Sequence, residues 1–171
     1  NADGVDPRKY NIPVKERDIM DRWLLSKCNK LVRDVNVAYQ EFDLNKVARL
    51  VVQFLNDDLS NWYIRSNRRR FWDSELTDSK KAVYQTTYEV LVGLCKMICP
   101  ISPFTAEEIY TNLTGEESVN LSDYPVANEK YINEKLRPLV QGDGGEMTFL
   151  KREEDKVTVV MQGECSKCGM L

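Results

Sequence analysis

Residues 57–72 read Asp-Asp-Leu-Ser-Asn-Trp-Tyr-Ile-Arg-Ser-Asn-Arg-Arg-Arg-Phe-Trp, four arginines and four aromatics with no acid after Asp58. Arginine offers a planar fork of N–H donors that fits phosphate oxygens, and an aromatic face stacks on an unpaired base or holds a guanidinium plane in place. Asn61, Arg65, Arg68, Arg69, Arg70 and Trp72 are therefore the candidate binding residues, with a phosphate backbone as the ligand their chemistry suits. The competing reading is a solvated basic surface, or ion pairs drawn from the 27 Asp and Glu of the chain. Cys165 and Cys168 form a second set. Their Cys-x-x-Cys spacing is equally that of half a zinc site or of a redox dithiol. Cys95 and Cys99 stand one helical turn apart, within reach of a shared metal, but in an apolar run; they and Cys28 are expected to pack.

The rest of the composition narrows the chemistry further. The 171 residues include no histidine, which removes any mechanism built on a histidine general base. The net charge of -3 would argue against a nucleic-acid ligand if charge were spread evenly, yet a local positive field is what binds, and the arginines are clustered. No stretch approaches the roughly 18 apolar residues of a membrane span, and no leader pattern opens the sequence. Five cysteines without such a leader fit a reducing compartment, so a cytoplasmic location is expected.

The candidate arginines need a scaffold, and apolar periodicity supplies one. From Asp18 to Phe42, Met20, Leu24, Leu31, Val35, Ala38 and Phe42 recur at helical spacing, with Trp23 and Val32 alongside. A second helix begins near Asp43, carries Ala48, Val51, Val52, Leu55, Leu59 and Trp62 on one stripe, and runs on into the arginines. On that reading Trp62 is a core residue, and Arg65, Arg69 and Trp72 share its side while Arg68 falls beside Asn61 and Arg65. A third helix spans about Ser79 to Cys99, burying Val83, Val90, Leu91, Leu94 and Ile98, and ends before Pro100. A fourth starts at Thr105 in a capping box with Glu108 and stops at Gly115. Beyond Pro125 the pattern changes to a short helix, Asn128 to Gln141, a glycine turn, and strands Glu146–Leu150 and Lys156–Gln162 around a charged turn. The expected fold is mainly α: an antiparallel helical bundle over 1–127 and a small, incomplete α/β appendage over 128–171.

The Asp-Leu-Ser-Asn-Trp-Tyr-Ile-Arg segment with its Arg-Arg-Arg-Phe-Trp continuation closely resembles the anticodon-binding domain of isoleucyl-tRNA synthetases. The likeness takes in Asn1-Ala2-Asp3-Gly4, Met20 to Lys27 and Pro100 to Glu108, and so covers residues 1 to about 127. It implies the class I synthetase type of helical bundle and recognition of isoleucine tRNA. Arg65, Arg68, Arg69 and Arg70 would face the anticodon stem-loop, gripping phosphates and a loop base. The His-Ile-Gly-His and Lys-Met-Ser-Lys-Ser signatures of such enzymes are missing, so the chain is expected to bind tRNA without catalysing, its partner being a separate catalytic portion.

In the tail, Leu136-Arg137-Pro138, Asp143-Gly144-Gly145, the valine-rich strand and Gly163 to Cys168 follow the order of the C-terminal domain of NifU-type iron–sulfur scaffold proteins. That resemblance implies an iron–sulfur cluster at Cys165 and Cys168, shared by two subunits that each give two thiolates, and hence a dimer. The resembling module is truncated after Leu171. Two other functions follow as alternatives, an iron–sulfur scaffold or carrier, and a junction of two gene fragments.

Overall fold

The computed structural model describes residues 5–127 in full and the backbone of two strands, 145–153 and 156–163. Helix α1 is Ile19–Gln40, opened by Asp18, whose carboxylate accepts the Met20 N–H. Its end is a Schellman motif: the Asp43 N–H reaches Ala38 O at 2.9 Å and the Phe42 N–H reaches Tyr39 O at 3.1 Å. Phe42 holds the left-handed position, at φ 57°. Asp43 then caps α2, Leu44–Gln53, through the Lys46 N–H. The chain continues without a break into an eleven-residue π-helical segment, Phe54–Ile64. Its last turn closes with the Arg65 N–H on Ser60 O, five residues back. A turn at Asn67 leads to the four-residue α3, Arg68–Phe71. Helix α4, Asp78–Ile98, is capped by Thr77, and α5, Pro103–Thr114, ends at Gly115 with φ 73°.

The helices alternate in direction, and α1 and α4 lie side by side and parallel: Asp21 meets the start of α4 through Arg70 and Ser79, while the Tyr39 hydroxyl donates to Met97 O. Leu24, Leu31 and Val35 of α1, Val47 and Val51 of α2, Phe54, Leu59 and Tyr63 of the π segment, and Val83, Val90 and Leu94 of α4 form one core. Helix α5 joins through a smaller cluster of Cys95, Ala106, Tyr110 and Val119. A strap, residues 5–17, crosses this pair. Arg17 is buried and donates to Glu89, Thr86 and Ile12 O, while Arg8 donates to Thr114 O at the end of α5.

Several expectations change. The stripe predicted along the second helix holds at Val51, Leu59 and, partly buried against the core, Leu55, and the π segment resets its phase beyond. Buried positions run Val47, Val51, Phe54 and then Leu59, Tyr63, so a five-residue step replaces the four of an α-helix. Trp62, 54% exposed, consequently faces water; Ala48 and Val52, the latter also 54% exposed, lie on the outer side of α2 itself. Trp62 is thus not a core residue. Phe42 lies past the end of α1 and is 90% exposed. Helix α5 begins at Pro103, whose fixed φ suits the first helical position, so Thr105 is inside the first turn and does not cap it.

Residues 1–127 and 128–171 form separate compact units. In the second, β1 (Gly145–Glu153) and β2 (Lys156–Gly163) pair antiparallel, from Gly145 opposite Gly163 to Glu153 opposite Lys156, with a register shift between Phe149 and Lys151. Strand β1 therefore takes in residues 151–153, expected as turn. The predicted helix Asn128–Gln141, the glycine turn, and Cys165 and Cys168 lie outside the described residues.

Candidate nucleic-acid interface

The arginine run is organised by one buried carboxylate. Asp21 is fully buried; it accepts the Tyr63 hydroxyl at 2.6 Å and both ends of the Arg70 guanidinium, at 2.8 and 2.7 Å. Arg70 also donates to Asn67 Oδ1, Ser79 Oγ and Ser79 O. An arginine has five N–H donors, and all five of these are engaged. Burial opposes the charge on Arg70, but its hydrogen bonds and attraction to Asp21 prevail and raise its pKa. Burial and then the Asp21 charge push the Tyr63 phenol well above its ordinary value. Asn67, buried beneath the turn, ties its amide to Tyr63 O at 2.8 Å. Four elements, α1, the π segment, α3 and α4, are joined here by charge-assisted bonds in a low-dielectric site.

This arrangement corrects the expectation for Arg70, which has no donor left for a phosphate and acts as a clamp inside the fold. Arg65, Arg68 and Arg69 are exposed, and no acid pairs with them among the described residues. The Arg68 guanidinium lies 5.1 Å from the centroid of the Trp72 ring, and Trp72 is 76% exposed. Because the helix breaks at Asn67, Arg68 and not Arg69 meets Trp72; the single strip expected through Trp62, Arg65, Arg69 and Trp72 is divided there. Asn61 is exposed at the end of the π segment.

Neighbouring groups extend the basic and aromatic character. Trp62 leans on Trp23 with ring centroids 6.4 Å apart, and Lys27 sits 5.4 Å over the Trp23 ring while pairing with Asp58 at 3.3 Å. Sequence reasoning missed Asp21, Trp23 and Lys27 as parts of the site. The signal for Asp21 was present: positions 21, 24, 31, 35 and 38 share the apolar face of α1, and an acid on a core face needs a buried partner. A cleft of about 520 Å³ is lined by Arg70 together with Glu16, Asp18 and Asp78. Those acids suit it poorly to a polyanion, whereas Arg65, Arg68 and Arg69 carry no such acidic lining among the described residues.

The remaining candidates are quiet. Burial lifts the Cys28 thiol to about 12, and Cys95 and Cys99 are also raised by burial, with Cys99 donating to Asn120 Oδ1 at 3.2 Å. These are packed thiols rather than ligands. Among the described residues no cluster of three or more metal-ligating side chains occurs, and no helix is long and apolar enough to cross a membrane.

Comparison with known proteins bears on the family of the chain. A match to the family described as the anticodon-binding domain of tRNA ligase spans residues 21–162. It runs past residue 127 through β1 and most of β2, the segment for which the NifU-type resemblance is drawn, and so lends that resemblance no support. The chain is 41% identical over 147 residues to an isoleucine–tRNA ligase of Bacteroides thetaiotaomicron, covering 82% of this chain and 13% of that protein. It is 39% identical over 142 residues to the isoleucine–tRNA ligase of Cytophaga hutchinsonii and 40% over 137 to that of Bacillus thuringiensis, each covering 80% of this chain and 13% of the relative. The chain therefore spans about an eighth of the length of the relatives it matches.

Proposed function

The chain belongs to the family of anticodon-binding domains of tRNA ligases, and on that premise we propose that its first unit grips the anticodon stem-loop of isoleucine tRNA for a ligase whose activation chemistry lies elsewhere. The observation that carries this reading is the separation of the arginines into one clamp and three free cations. Arg70 is locked onto Asp21, while Arg65, Arg68 and Arg69 are exposed, Arg68 against the exposed Trp72, and no acid pairs with them among the described residues. Such a face attracts phosphates, while unpaired loop bases are the part of an RNA whose edges a protein can read. Isoleucine tRNA as the particular ligand rests on the isoleucine ligases that the chain resembles, and the cytoplasm as the place on the five cysteines expected to stay reduced.

Titration of the chain with an anticodon stem-loop hairpin at several salt concentrations tests this. Each of Arg65→Ala, Arg68→Ala and Arg69→Ala is expected to weaken binding and to flatten the slope of log affinity against log salt by about 0.7–0.9. Unchanged slopes in all three would place the RNA on another surface.

One second reading concerns the tail. The family match ends at residue 162, so Cys165 and Cys168 are not accounted for by it. We propose them as half of an iron–sulfur site; two thiolates fill only two of four cluster positions, so one chain alone does not fit the group and a second subunit is required. Anaerobic addition of iron and sulfide should give a broad visible absorbance that Cys165→Ala abolishes, and a colourless protein would end this reading.

A further inference from the structure

An indole that stays 76% exposed adds little to the stability of the fold, because stabilisation follows the apolar area withdrawn from water. Trp72 is nonetheless held firmly. It closes α3 with its N–H on Arg68 O at 3.1 Å, and the turn that carries it is fastened by Asn67 to Tyr63 and by Arg70 to Asp21 and Ser79. Arg68 lies against the ring. Arg65 and Arg69 are exposed on the same turn region without ion-pair partners among the described residues, and the adjacent Asp73 carboxylate is turned onto the Glu75 N–H at 3.2 Å. Trp62 is built differently, since its ring leans on Trp23.

We propose that Trp72 is a stacking platform for one unpaired nucleobase, its ring held between that base and the Arg68 guanidinium, with Arg65 and Arg69 on the phosphates flanking the base. The inference rests on the tRNA reading above and narrows it: the ligand is a single-stranded loop with a splayed base, because paired bases keep their faces against their neighbours. The charge of the surrounding arginines matches the phosphates such a base carries with it. Stacking also tolerates any base, so Trp72 supplies affinity for loop structure and leaves sequence discrimination to other groups.

The test uses the full chain and two probes, an anticodon stem-loop hairpin and the same hairpin with abasic loop nucleotides. Trp72→Ala is expected to weaken binding of the intact hairpin about 5- to 150-fold. The salt slope should stay unchanged, because no phosphate contact is lost. Trp72→Tyr should restore most of the affinity, and the unaltered chain should bind the abasic hairpin about as weakly as Trp72→Ala binds the intact one. If Trp72→Ala melts early, Trp72→Leu keeps the bulk without an aromatic face and is expected to remain weak. Wild-type affinity in Trp72→Ala, with Arg65→Ala still impaired, would overturn the platform and leave the tRNA reading standing. Failure of the unaltered chain to bind either hairpin would overturn both.

Discussion

Two arginines two positions apart in the same run have opposite roles. Arg68 lies over an exposed ring and faces water, while Arg70 is committed to a carboxylate that water does not reach. Removing one partner of a buried pair leaves the other uncompensated, so Arg70→Met should destabilise the bundle by about 3–5 kcal/mol. Arg68→Ala should alter the melting temperature hardly at all, since surface positions usually stay within about 0.5 kcal/mol. Thermal denaturation of the two variants side by side checks this contrast. The buried phenol and thiol nearby add a pH dependence. Tyr63 is raised from its ordinary 10.0 and Cys28 from 9.0 to about 12, so in both cases the folded chain keeps a proton that the unfolded chain releases. The unfolded state then binds fewer protons, and stability falls as pH rises above about 9. Denaturant melts between pH 8 and 11 should show this decline, shallower in Tyr63→Phe and in Cys28→Ala. From sequence alone the arginines were visible as a group, but their division was not, because it depends on Asp21, which is 49 residues away from Arg70 and meets it only through the fold.

Helical periodicity located α1, α4 and the start of α2 well, since each has a regular three-to-four apolar spacing and an acid or hydroxyl cap at its beginning. It failed where the backbone leaves the α-helical repeat. In the π segment a regular stripe would bury Trp62, whereas the i→i+5 turn buries Tyr63 in its place and delivers the phenol to Asp21. The wider turn also turns Trp62 outward beside Trp23. Local composition did not mark this change, because Phe54, Leu59, Trp62 and Tyr63 are all apolar enough to serve on either stripe. Phe42 is the second place where a pattern misleads: it extends the spacing of α1 but occupies the left-handed residue of its terminal motif. A phenylalanine there carries strain that glycine does not, and its ring, 90% exposed, returns little burial. Phe42→Gly should therefore stabilise the bundle by about 0.5–1 kcal/mol, after allowance for the greater freedom of glycine in the unfolded chain. A rise of a few degrees in the melting temperature would show it. A fall would mean that the ring has a partner in the fold.

For the whole chain, the bundle and the hairpin unit are best taken separately, and the bundle alone accounts for the arginine face. One end of that bundle gathers the start of α1, the end of the π segment, α3 and the start of α4 around Asp21, which makes the position of Arg65, Arg68 and Arg69 a property of the core and not of a loose loop. The mainly helical class and the four principal helices were legible in the sequence, and so was the relationship to tRNA ligase anticodon-binding domains, through the Asp-Leu-Ser-Asn-Trp-Tyr-Ile-Arg segment. The phase of the site was not, since it is set by long-range packing across α1 and α4. The central claim, that this end of the bundle recognises the anticodon arm, is tested most directly by equilibrium binding of the chain to isoleucine tRNA and to the same tRNA with an altered anticodon, at low and near-physiological salt. The account predicts tighter binding to the unaltered tRNA at both salts, with Arg65→Ala weakening both tRNAs alike because its contact is to phosphate. Equal affinity for the two tRNAs, or none for either, would contradict it.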